Sequence, residues 1–360
     1  MRFPEFSGEW NKYTINDLAT VVGGGTPDTT VKSYWGGDIQ WFTPSEIGKN
    51  KYVDFSKRTI TRDGLDNSSA KLLPLHTILL SSRATVGECS IASNECTTNQ
   101  GFQSLIAKQC NIDFLYYLIQ TKKKDLIRNA CGSTFLEISA NEIRKIKVAV
   151  PVQNEQEQIA KLLSLIDERI ATQNKIIEKL QSLIKGLAAQ PTQSGTPNIR
   201  LCDCLECHSS TLQENCVSVT GSYPVYGATG LIGYTNNYAY NGESILIVKD
   251  GSGVGSLSYV NDHFSVIGTL NYLTAKENYS ILYLYYALMA FNFTPYITGM
   301  AIPHIYFKDY GKAKLFYPSI EKRIRIASLL HNIEQKLVVE QNLVISLSAQ
   351  KSYLLRMLFI

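Results

Sequence analysis

The length, composition and charge of the chain limit its class. Its 360 residues, 44% of them hydrophobic, suffice for two or three domains with buried cores and argue against a disordered protein. The formal net charge of +4 tolerates an anionic partner without requiring one. The most apolar run, ILYLYYALMAFNF, is too short to span a bilayer, and the opening MRFPEFSGEW has no apolar signal core. We therefore expect a cytoplasmic protein with no membrane partner and with reduced cysteines.

The first part of the chain, residues 1–150, is predicted to be a strand-rich domain. GDIQWFTPSEI and HTILLSSRATVGECSIA are rich in β-branched and aromatic residues with polar breaks, which is typical of strands joined by loops. A helix is predicted over IDFLYYLIQTKKKDLI, and a last strand over IRKIKVAV. Trp41 and Phe42 are expected in the core, because strand-rich domains need large aromatic residues there.

A long helix is predicted over residues 151–190. Asn154 and Glu157 form a capping-box pattern, which favours a helix start at Asn154. Apolar residues then recur at three- and four-residue steps, so they share one face of the helix. The first of these seam residues are Ile159, Leu163, Ile166 and Ile170. Few domain surfaces could cover a helix roughly 60 Å long, so we expect a second helix to pack along it, although an amphipathic helix lying on a domain would give a similar pattern.

The second part of the chain repeats the first. QPTQSGTPN has the composition of a linker, which we assign to residues 191–198, and a second domain is predicted over 199–318. ILIVKDGSGVGSLSYV is similar to ILLSSRATVGECSIA, and LYYAL to LYYLI. A second long helix, 319–360, repeats the apolar seam at Ile326, Leu330, Ile333 and Leu337. A repeat with so long a period indicates two copies of a domain and not a solenoid. The predicted class is α+β, with two mixed α/β domains separated by two long helices.

No catalytic constellation is recognisable. GxxxxGK[ST] is absent, and GSGVGS leads into a strand-like run without the helix N-terminus that phosphate loops need. The histidines do not pair with a nucleophile. We therefore expect a non-catalytic chain with no metal or cofactor of its own.

The cysteine-rich segment CDCLECH leaves alternatives open. It contains the spacing of a c-type haem attachment motif, but haem attachment generally requires export. Zinc could be held by Cys202, Cys204, Cys207 and Cys216, although tight structural sites usually pair two CxxC knuckles. Buried strand and loop cysteines are the third interpretation.

Two domains with different loops, carried by long helices, suit an extended ligand with two separate segments, as DNA offers. Polar and basic residues occur at matching places in the two central loops, where arginine suits guanine or phosphate and hydroxyls suit phosphate or mixed contacts. The candidate DNA contacts are Trp35, Thr43, Ser82, Arg83, Thr85, Lys249, Asp250, Ser252 and His304. For each of them a solvated loop residue is the alternative.

RFPEFSGEW, GDIQWFTPSEI, ILLSSRATVG and GSTFLEISANEIRKIKVAVPVQNEQEQIAKLLSLID resemble the specificity subunit of type I restriction–modification enzymes, over essentially the whole chain. The resemblance implies two target-recognition domains and an antiparallel coiled coil of the two helices, related by an internal pseudo-two-fold. It also implies that the chain binds double-stranded DNA at a split, asymmetric site whose adenines are methylated. The partners that the resemblance implies are two methyltransferase subunits, which bind through the helices, and translocating endonuclease subunits. S-adenosylmethionine, ATP and Mg would then bind to those partners.

Two departures from the pattern separate the copies. The second long helix begins SIEKRIRIA, without the Gln/Glu-rich start of the first, and GMAIPHIYF replaces GSTFLEISA. Three alternatives remain: a specificity subunit of another methyltransferase-dependent system, such as a fused type II enzyme, a coiled-coil adaptor that binds only proteins, and an enzyme with a metal at the cysteines.

Overall fold

The computed structural model describes residues 2–132, 136–193 and 195–359, without the side chains of residues 190–193. The chain divides into two compact units. Unit 1 comprises Met1–Gln173 and Leu343–Ile360, and unit 2 comprises Asn174–Asn342. Each unit therefore holds one of the two repeated domains together with a part of each long helix. The boundaries drawn above, which follow the order of the chain, stay predictions.

The regular elements of the described residues alternate short strands and short helices around two long helices. In chain order they are β1 (Asn11–Thr14), α1 (Ile15–Leu18), β2 (Ala19–Gly23), β3 (Trp35–Phe42), β4 (Tyr52–Val53), β5 (Arg58–Ile60), α2 (Arg62–Asp66), β6 (Ile78–Leu80), β7 (Cys89–Ala92), β8 (Cys96–Thr98), β9 (Gln103–Ala107), α3 (Ile112–Thr121), α4 (Lys123–Arg128), α5 (Ala140–Lys145), β10 (Lys147–Val150), α6 (Gln153–Gln193), β11 (Ile199–Arg200), α7 (Leu201–Cys204), β12 (Leu205–Ser209), β13 (Tyr223–Gly227), β14 (Gly230–Thr235), β15 (Tyr240–Val248), β16 (Leu257–Val266), β17 (Leu270–Ala275), α8 (Ile281–Met289), α9 (Phe307–Tyr310), β18 (Lys314–Leu315) and α10 (Ile320–Leu358).

The sheets of the two units repeat one topology. Unit 1 has a five-stranded sheet in the order β2-β9-β6-β7-β4, and unit 2 has a six-stranded sheet in the order β12-β17-β15-β16-β13-β14. The first five strands of the two orders correspond, since β4 pairs parallel with β7 as β13 does with β16, and the two-stranded pairs β1-β10 and β11-β18 correspond as well. Unit 1 adds a three-stranded sheet, β5-β3-β8. The repeat predicted from the sequence is therefore confirmed, and the units differ at the outer strands.

Two helices depart from the predicted elements, and a side-chain cap explains the second departure. The predicted helix over IDFLYYLIQTKKKDLI is divided into α3 and α4 at Lys122. The predicted strand over IRKIKVAV is wrong in its first half, because α5 precedes β10. The Ser139 side chain accepts a hydrogen bond from Glu142 N at 3.3 Å, which satisfies a free amide of the first turn and favours a helix there.

The first long helix starts and ends at other residues than predicted. α6 begins at Gln153, so Asn154 lies inside the first turn and is not the N-cap. The carbonyl of Val152 accepts from the amides of Glu155 and Gln156 at 3.0 and 3.1 Å. The helix ends at Gln193, so residues 191–193 of the predicted linker are helical.

The two long helices pack antiparallel. In unit 1 the apolar core joins Ile159 and Leu163, near the start of α6, to Leu354 and Leu358, near the end of α10. In unit 2 the core joins residues near the end of α6 to residues near the start of α10, namely Ile184, Ala188, Ala327 and Leu330. Opposite ends of the helices therefore meet within each unit, which confirms the antiparallel pairing.

The apolar seam also belongs to the cores of the domains. Ile159 and Leu163 share a cluster with Phe114 and Tyr117 of α3, so the alternative interpretation, a helix lying on a domain, describes part of the same stripe. Ile159, Leu163, Ile166 and Leu330 are buried, whereas Ile170, Ile326, Ile333 and Leu337 are partly buried. No helix in the described parts of the chain is both long enough and apolar enough to cross a membrane.

Candidate nucleic-acid interface

In unit 1 the loop after β6 is held from both sides. Ser82 N donates to the carbonyl of Gly101 at 2.8 Å, and the carbonyl of Ser82 accepts from Ile138 N at 2.9 Å. The Ser82 side chain is buried, and its hydroxyl has no hydrogen-bond partner among the described residues. Ser82 therefore anchors the loop and does not present its hydroxyl to solvent.

Arg83 and Glu137 face each other across this loop. They form an isolated antiparallel bridge, and Arg83 Nε lies 3.8 Å from Glu137 Oε2. Both side chains are about half exposed, at 47% and 50%. The next residue, Ala84, has a φ of +62°, which costs an L-residue on the order of 1 kcal/mol, and its amide donates to the carbonyl of Leu136 at 3.1 Å. The loop conformation is thus imposed by contacts with the neighbouring segment.

Thr85 completes this loop with an exposed hydroxyl. Its Oγ1 lies 2.9 Å from Ser81 Oγ, and its amide donates to the carbonyl of Arg83 at 2.7 Å. These two bonds hold the turn that carries Arg83. Thr85 itself is exposed, two residues after Arg83.

Unit 2 builds the same framework with other side chains. Lys249 N donates to the carbonyl of Thr269 at 3.0 Å, and the carbonyl of Lys249 accepts from Ile305 N at 2.9 Å. Asp250 and His304 form an isolated antiparallel bridge, as Arg83 and Glu137 do in unit 1. We call Arg83–Glu137 and Asp250–His304 the cross-loop pairs.

The turn that follows is also shared. Gly251 has a φ of +94° and donates its amide to the carbonyl of Pro303 at 2.8 Å, which matches Ala84 and Leu136 in unit 1. Ser252, next in the chain, is exposed. The cross-loop pairs therefore occupy one backbone frame but reverse its chemistry: a cation faces an acid in unit 1, and an acid faces an imidazole in unit 2.

Thr43 and Trp35 are held by bonds within their own sheet. Thr43 Oγ1 donates to Glu46 Oε2 at 2.6 Å in a capping box, so this hydroxyl serves a local turn. Trp35 Nε1 donates to the carbonyl of Asp28 at 3.1 Å, and its ring meets that of Trp41 edge-on. Trp41 is buried, at 4% exposure, and Phe42 is buried as well, as predicted.

The loop of residues 99–101 brings part of this candidate set together. A Cβ placed on Gly101 would lie 3.1 Å from Cγ of Pro44 and 3.8 Å from Cβ of Arg83. The turn that follows Thr43 and the loop that carries Arg83 therefore both border residues 99–101. Trp35 lies at the other end of β3, where it contacts Trp41.

A family model described as "Type I restriction modification DNA specificity domain" matches residues 7–182 and 199–347. The chain belongs to this family. The two matches cover one repeat each, and each includes a domain and most of the long helix that follows it.

Relatives with curated names agree with this assignment. The chain is 39% identical, over 183 residues, to the type I restriction enzyme MjaIX specificity subunit of Methanocaldococcus jannaschii; this match spans 48% of the chain and 42% of that protein. It is 25% identical to the type I restriction enzyme EcoprrI specificity subunit of Escherichia coli over 91% of the chain and 87% of that protein. The crystal structure of a type I restriction-modification S subunit from M. genitalium shares the fold, with a TM-score of 0.69 and 18% identity over 100% of this chain and 99% of that one.

Each specificity domain is fixed to a long helix by tyrosines that the sequence analysis did not assign. In unit 1 the Tyr117 hydroxyl donates to Asp167 Oδ2 at 2.7 Å, and Lys351 Nζ lies 2.7 Å from Asp167 Oδ1. In unit 2 the Tyr285 and Tyr286 hydroxyls donate to the two oxygens of Glu334, at 2.9 and 2.7 Å. Burial and the neighbouring carboxylates raise the pKa of all three phenols well above the ordinary value. In the sequence, these tyrosines lie in the two similar segments LYYLI and LYYAL, and that similarity could have indicated their shared role.

A second anchor holds the start of α6 in unit 1. Glu155 is fully buried, and its two oxygens accept from Arg2 Nε and Nη2 at 2.7 and 2.6 Å. Gln156 donates to the carbonyl of Pro151 at 2.9 Å and accepts from Asn111 N, the cap residue of α3, at 3.0 Å. The Gln/Glu-rich start of this helix thus binds its domain.

The second long helix makes an equivalent contact with another residue. Arg323 Nη1 donates to the carbonyl of Pro318 at 2.7 Å, as Gln156 does to Pro151. The guanidinium of Arg323 also lies 4.0 Å from the centroid of the Tyr317 ring. The start SIEKRIRIA therefore keeps the bond to the proline carbonyl although its composition differs.

In the described residues, neither the cysteine-rich segment nor the GSGVGS segment forms a binding site. No group of three or more His, Cys, Asp or Glu side chains there is placed to hold a metal ion. Burial raises the pKa of Cys204 to about 12 and that of Cys207 to about 11, which opposes the thiolate form that zinc requires. The GSGVGS segment lies between β15 and β16, and the amides of Gly251, Val254 and Gly255 bind backbone carbonyls, so they are not available to a phosphate.

Proposed function

We propose that the chain is the DNA-recognition subunit of a type I restriction–modification complex and that each specificity domain reads one half of a bipartite, asymmetric site. The proposal rests on one observation. The two cross-loop pairs, Arg83–Glu137 and Asp250–His304, place different side chains on the same backbone frame. A reader of two different half-sites needs such an arrangement, because the frame sets the docking geometry and the side chains set the sequence that is read.

The proposed contacts follow from the chemistry of the exposed and partly buried groups. Arg83 can donate two hydrogen bonds to O6 and N7 of guanine or to phosphate oxygens, whereas Asp250 can accept from the N4 amine of cytosine. Lys249 suits phosphate as a compact cation. The proposed set also includes the side chains of Thr85, Ser252, His304, Thr43 and Trp35. Ser82 supports the loop from the interior.

The proposed partners are two methyltransferase subunits, which dock on the long helices, and endonuclease subunits. In such a complex the partners bind S-adenosylmethionine, ATP and Mg, and this chain supplies recognition without catalysis of its own. The adenines of the recognised site would be methylated, and unmodified DNA, such as that of a phage, would be cut. The relatives described above are named as specificity subunits of type I restriction enzymes, which supports this assignment.

The test is to express the chain with the methyltransferase subunits of its own system and to sequence the host DNA for methylated adenines. We expect one split motif with two different halves. Omission of the chain should abolish the methylation. Methylation that does not depend on the chain, together with failure of the purified complex to bind DNA, would overturn the proposal and favour a coiled-coil adaptor that binds only proteins.

One alternative shares most of these outcomes. A specificity subunit of another methyltransferase-dependent system, such as a fused type II enzyme, would give the same split motif. Purification of the native complex distinguishes the two, because only a type I assembly should contain separate endonuclease subunits and consume ATP on DNA.

A further inference from the structure

Arg58 lies on an aromatic platform in unit 1. β5 pairs antiparallel with β3, and Arg58 is directly opposite Trp41 in this register. The guanidinium carbon Cζ lies 3.6 Å from the centroid of the Trp35 ring and 5.5 Å from that of Trp41. At 3.6 Å the cation is in van der Waals contact with the ring, which is an attractive cation–π geometry.

The platform itself is fixed. The Trp35 and Trp41 rings are perpendicular, with centroids 5.0 Å apart. Trp35 Nε1 is bonded to the carbonyl of Asp28, and Trp41 Nε1 donates to the carbonyl of Gly25 at 2.9 Å. Both indole N–H groups are therefore occupied by backbone carbonyls, and the face of Trp35 is covered by the arginine.

The donors of Arg58 are not used within the protein. Arg58 is exposed, and in the described parts of the chain its guanidinium makes no hydrogen bond or ion pair. A guanidinium that is held against a ring keeps its N–H donors in one plane, directed away from the ring. Such a group loses less side-chain entropy on binding than a free arginine, so it is prepared for a flat acceptor pair.

Contacts connect this platform to the loop of Arg83. Trp41 binds the carbonyl of Gly25, and Gly25 N donates to the carbonyl of Thr98 at 2.8 Å. The Thr26 hydroxyl donates to the side chain of Gln100. Residues 99–101 in turn border Arg83, as described above. Arg58 and Arg83 therefore belong to one continuous set of contacts in unit 1.

We propose that Arg58, held on Trp35, is a further DNA contact of the first specificity domain. It binds an acceptor pair of the duplex, either phosphate oxygens or O6 and N7 of a guanine. Trp35 then contributes to DNA binding as the platform that holds the arginine. The inference rests on the proposed function, because it assumes that DNA is the ligand.

The test compares Arg58→Ala, Arg58→Lys and Trp35→Leu in the full chain with its methyltransferase partners. Arg62→Ala is the matched control, because Arg62 is exposed, lies four residues away and pairs with Asp66 at 3.3 Å. Binding to a mixed-sequence duplex and to a duplex that carries the methylated motif is measured over a series of salt concentrations. Unfolding midpoints show that each variant is folded.

We expect Arg58→Ala to weaken binding about tenfold and Arg62→Ala to leave it unchanged. If Arg58 binds phosphate, both duplexes lose affinity, the slope of log K against log salt falls by about 1, and Arg58→Lys retains most of the affinity. If it binds guanine, the loss is confined to the motif duplex and lysine does not rescue it. Trp35→Leu should give a smaller loss in either case, because the arginine is still present but no longer held.

The outcomes separate this inference from the proposed function. If the unaltered complex binds neither duplex, the proposed function is wrong. If it binds DNA and Arg83→Ala weakens binding while Arg58→Ala equals the control, only the assignment of Arg58 is wrong, and its stack on Trp35 serves stability alone.

Discussion

The hydroxyl of Tyr117 donates a 2.7 Å hydrogen bond to Asp167, and this bond joins a specificity domain to its long helix. The same carboxylate holds Lys351 of the second helix, so three segments of unit 1 meet at one acid. Both charged side chains are largely buried, at 18% and 19% exposure. Unit 2 uses Glu334 in the corresponding role, where its carboxylate accepts from two tyrosine hydroxyls.

Asp167→Ala should destabilise the protein by about 3 kcal/mol, because it leaves Lys351 largely buried without its anionic partner and removes the 2.7 Å bond of the Tyr117 hydroxyl, which keeps only the longer bond to Ser164 Oγ at 3.4 Å among the described residues. Urea unfolding of the full chain measures the change. Lys145→Ala, which removes one side of the exposed pair with Glu142, is the control and should cost less than about 1 kcal/mol. Equal effects of the two variants would mean that the Asp167 cluster contributes no more than a surface ion pair.

Stability should fall as the pH rises above about 10. Burial raises the pKa of Tyr283 from its ordinary value to about 12, and its hydroxyl donates to the carbonyl of Phe316 at 2.9 Å. Between these two pKa values the unfolded chain has released the phenolic proton and the folded chain has not, so alkali favours unfolding. Tyr283→Phe should flatten this loss in urea titrations at increasing pH, and an unchanged slope would contradict the assignment.

Ile166→Lys should abolish co-purification with the methyltransferase subunits. Ile166 is buried in the core that joins α6 to the end of α10, and an unpaired lysine there costs several kcal/mol. Leu165→Lys, one position earlier and 55% exposed, is the control for folding and should unfold at nearly the original urea concentration. If Ile166→Lys still co-purifies normally, the packing of the helices is not what the partners require.

The cross-loop pairs predict separate effects on the two half-sites. If both residues read bases, Arg83→Ala should relax discrimination in one half-site and Asp250→Ala in the other, each by about 1–3 kcal/mol. Stability should change little, since Arg83 and Glu137 are half exposed and 3.8 Å apart. Methylated-adenine sequencing of cells that carry each variant shows which half is relaxed. Relaxation of the same half by both substitutions would refute the assignment of one half-site to each domain.

The long helices and the repeat could be predicted from the sequence because their signals are periodic and local. The stripe of Ile159, Leu163 and Ile166 follows the helical period whatever the partner is, which is why its period did not distinguish a second helix from a domain surface. The capping pattern at Asn154 predicted the wrong first residue for α6. The first turn of this helix is held by the side chains of Glu155 and Gln156, which bind Arg2 and Asn111.

The candidate site was predictable only in part, because its contacts are far apart in the chain. Arg83 and Glu137 are paired by backbone bonds between two loops, and no local pattern indicates such a bridge. Likewise Trp35 was expected to meet bases, although its face is covered by Arg58, which lies on another strand. Matching loop positions selected the segments that carry the cross-loop pairs, but only the fold shows which side chains point inward, as Ser82 does.

Unit 1 is built from two separate segments of the chain, so its core is completed later in synthesis than that of unit 2. Trp10 contacts both Phe114 and Phe359 through edge-on ring packing, so the core of this unit uses residues from near both ends of the printed sequence. Unit 2 is one continuous segment. On the ribosome the second unit therefore has its full set of residues first, while the first unit waits with part of its aromatic core uncovered until Phe359 has been synthesised. In that interval the uncovered apolar surface favours aggregation of the nascent chain, which is the condition that chaperones counteract.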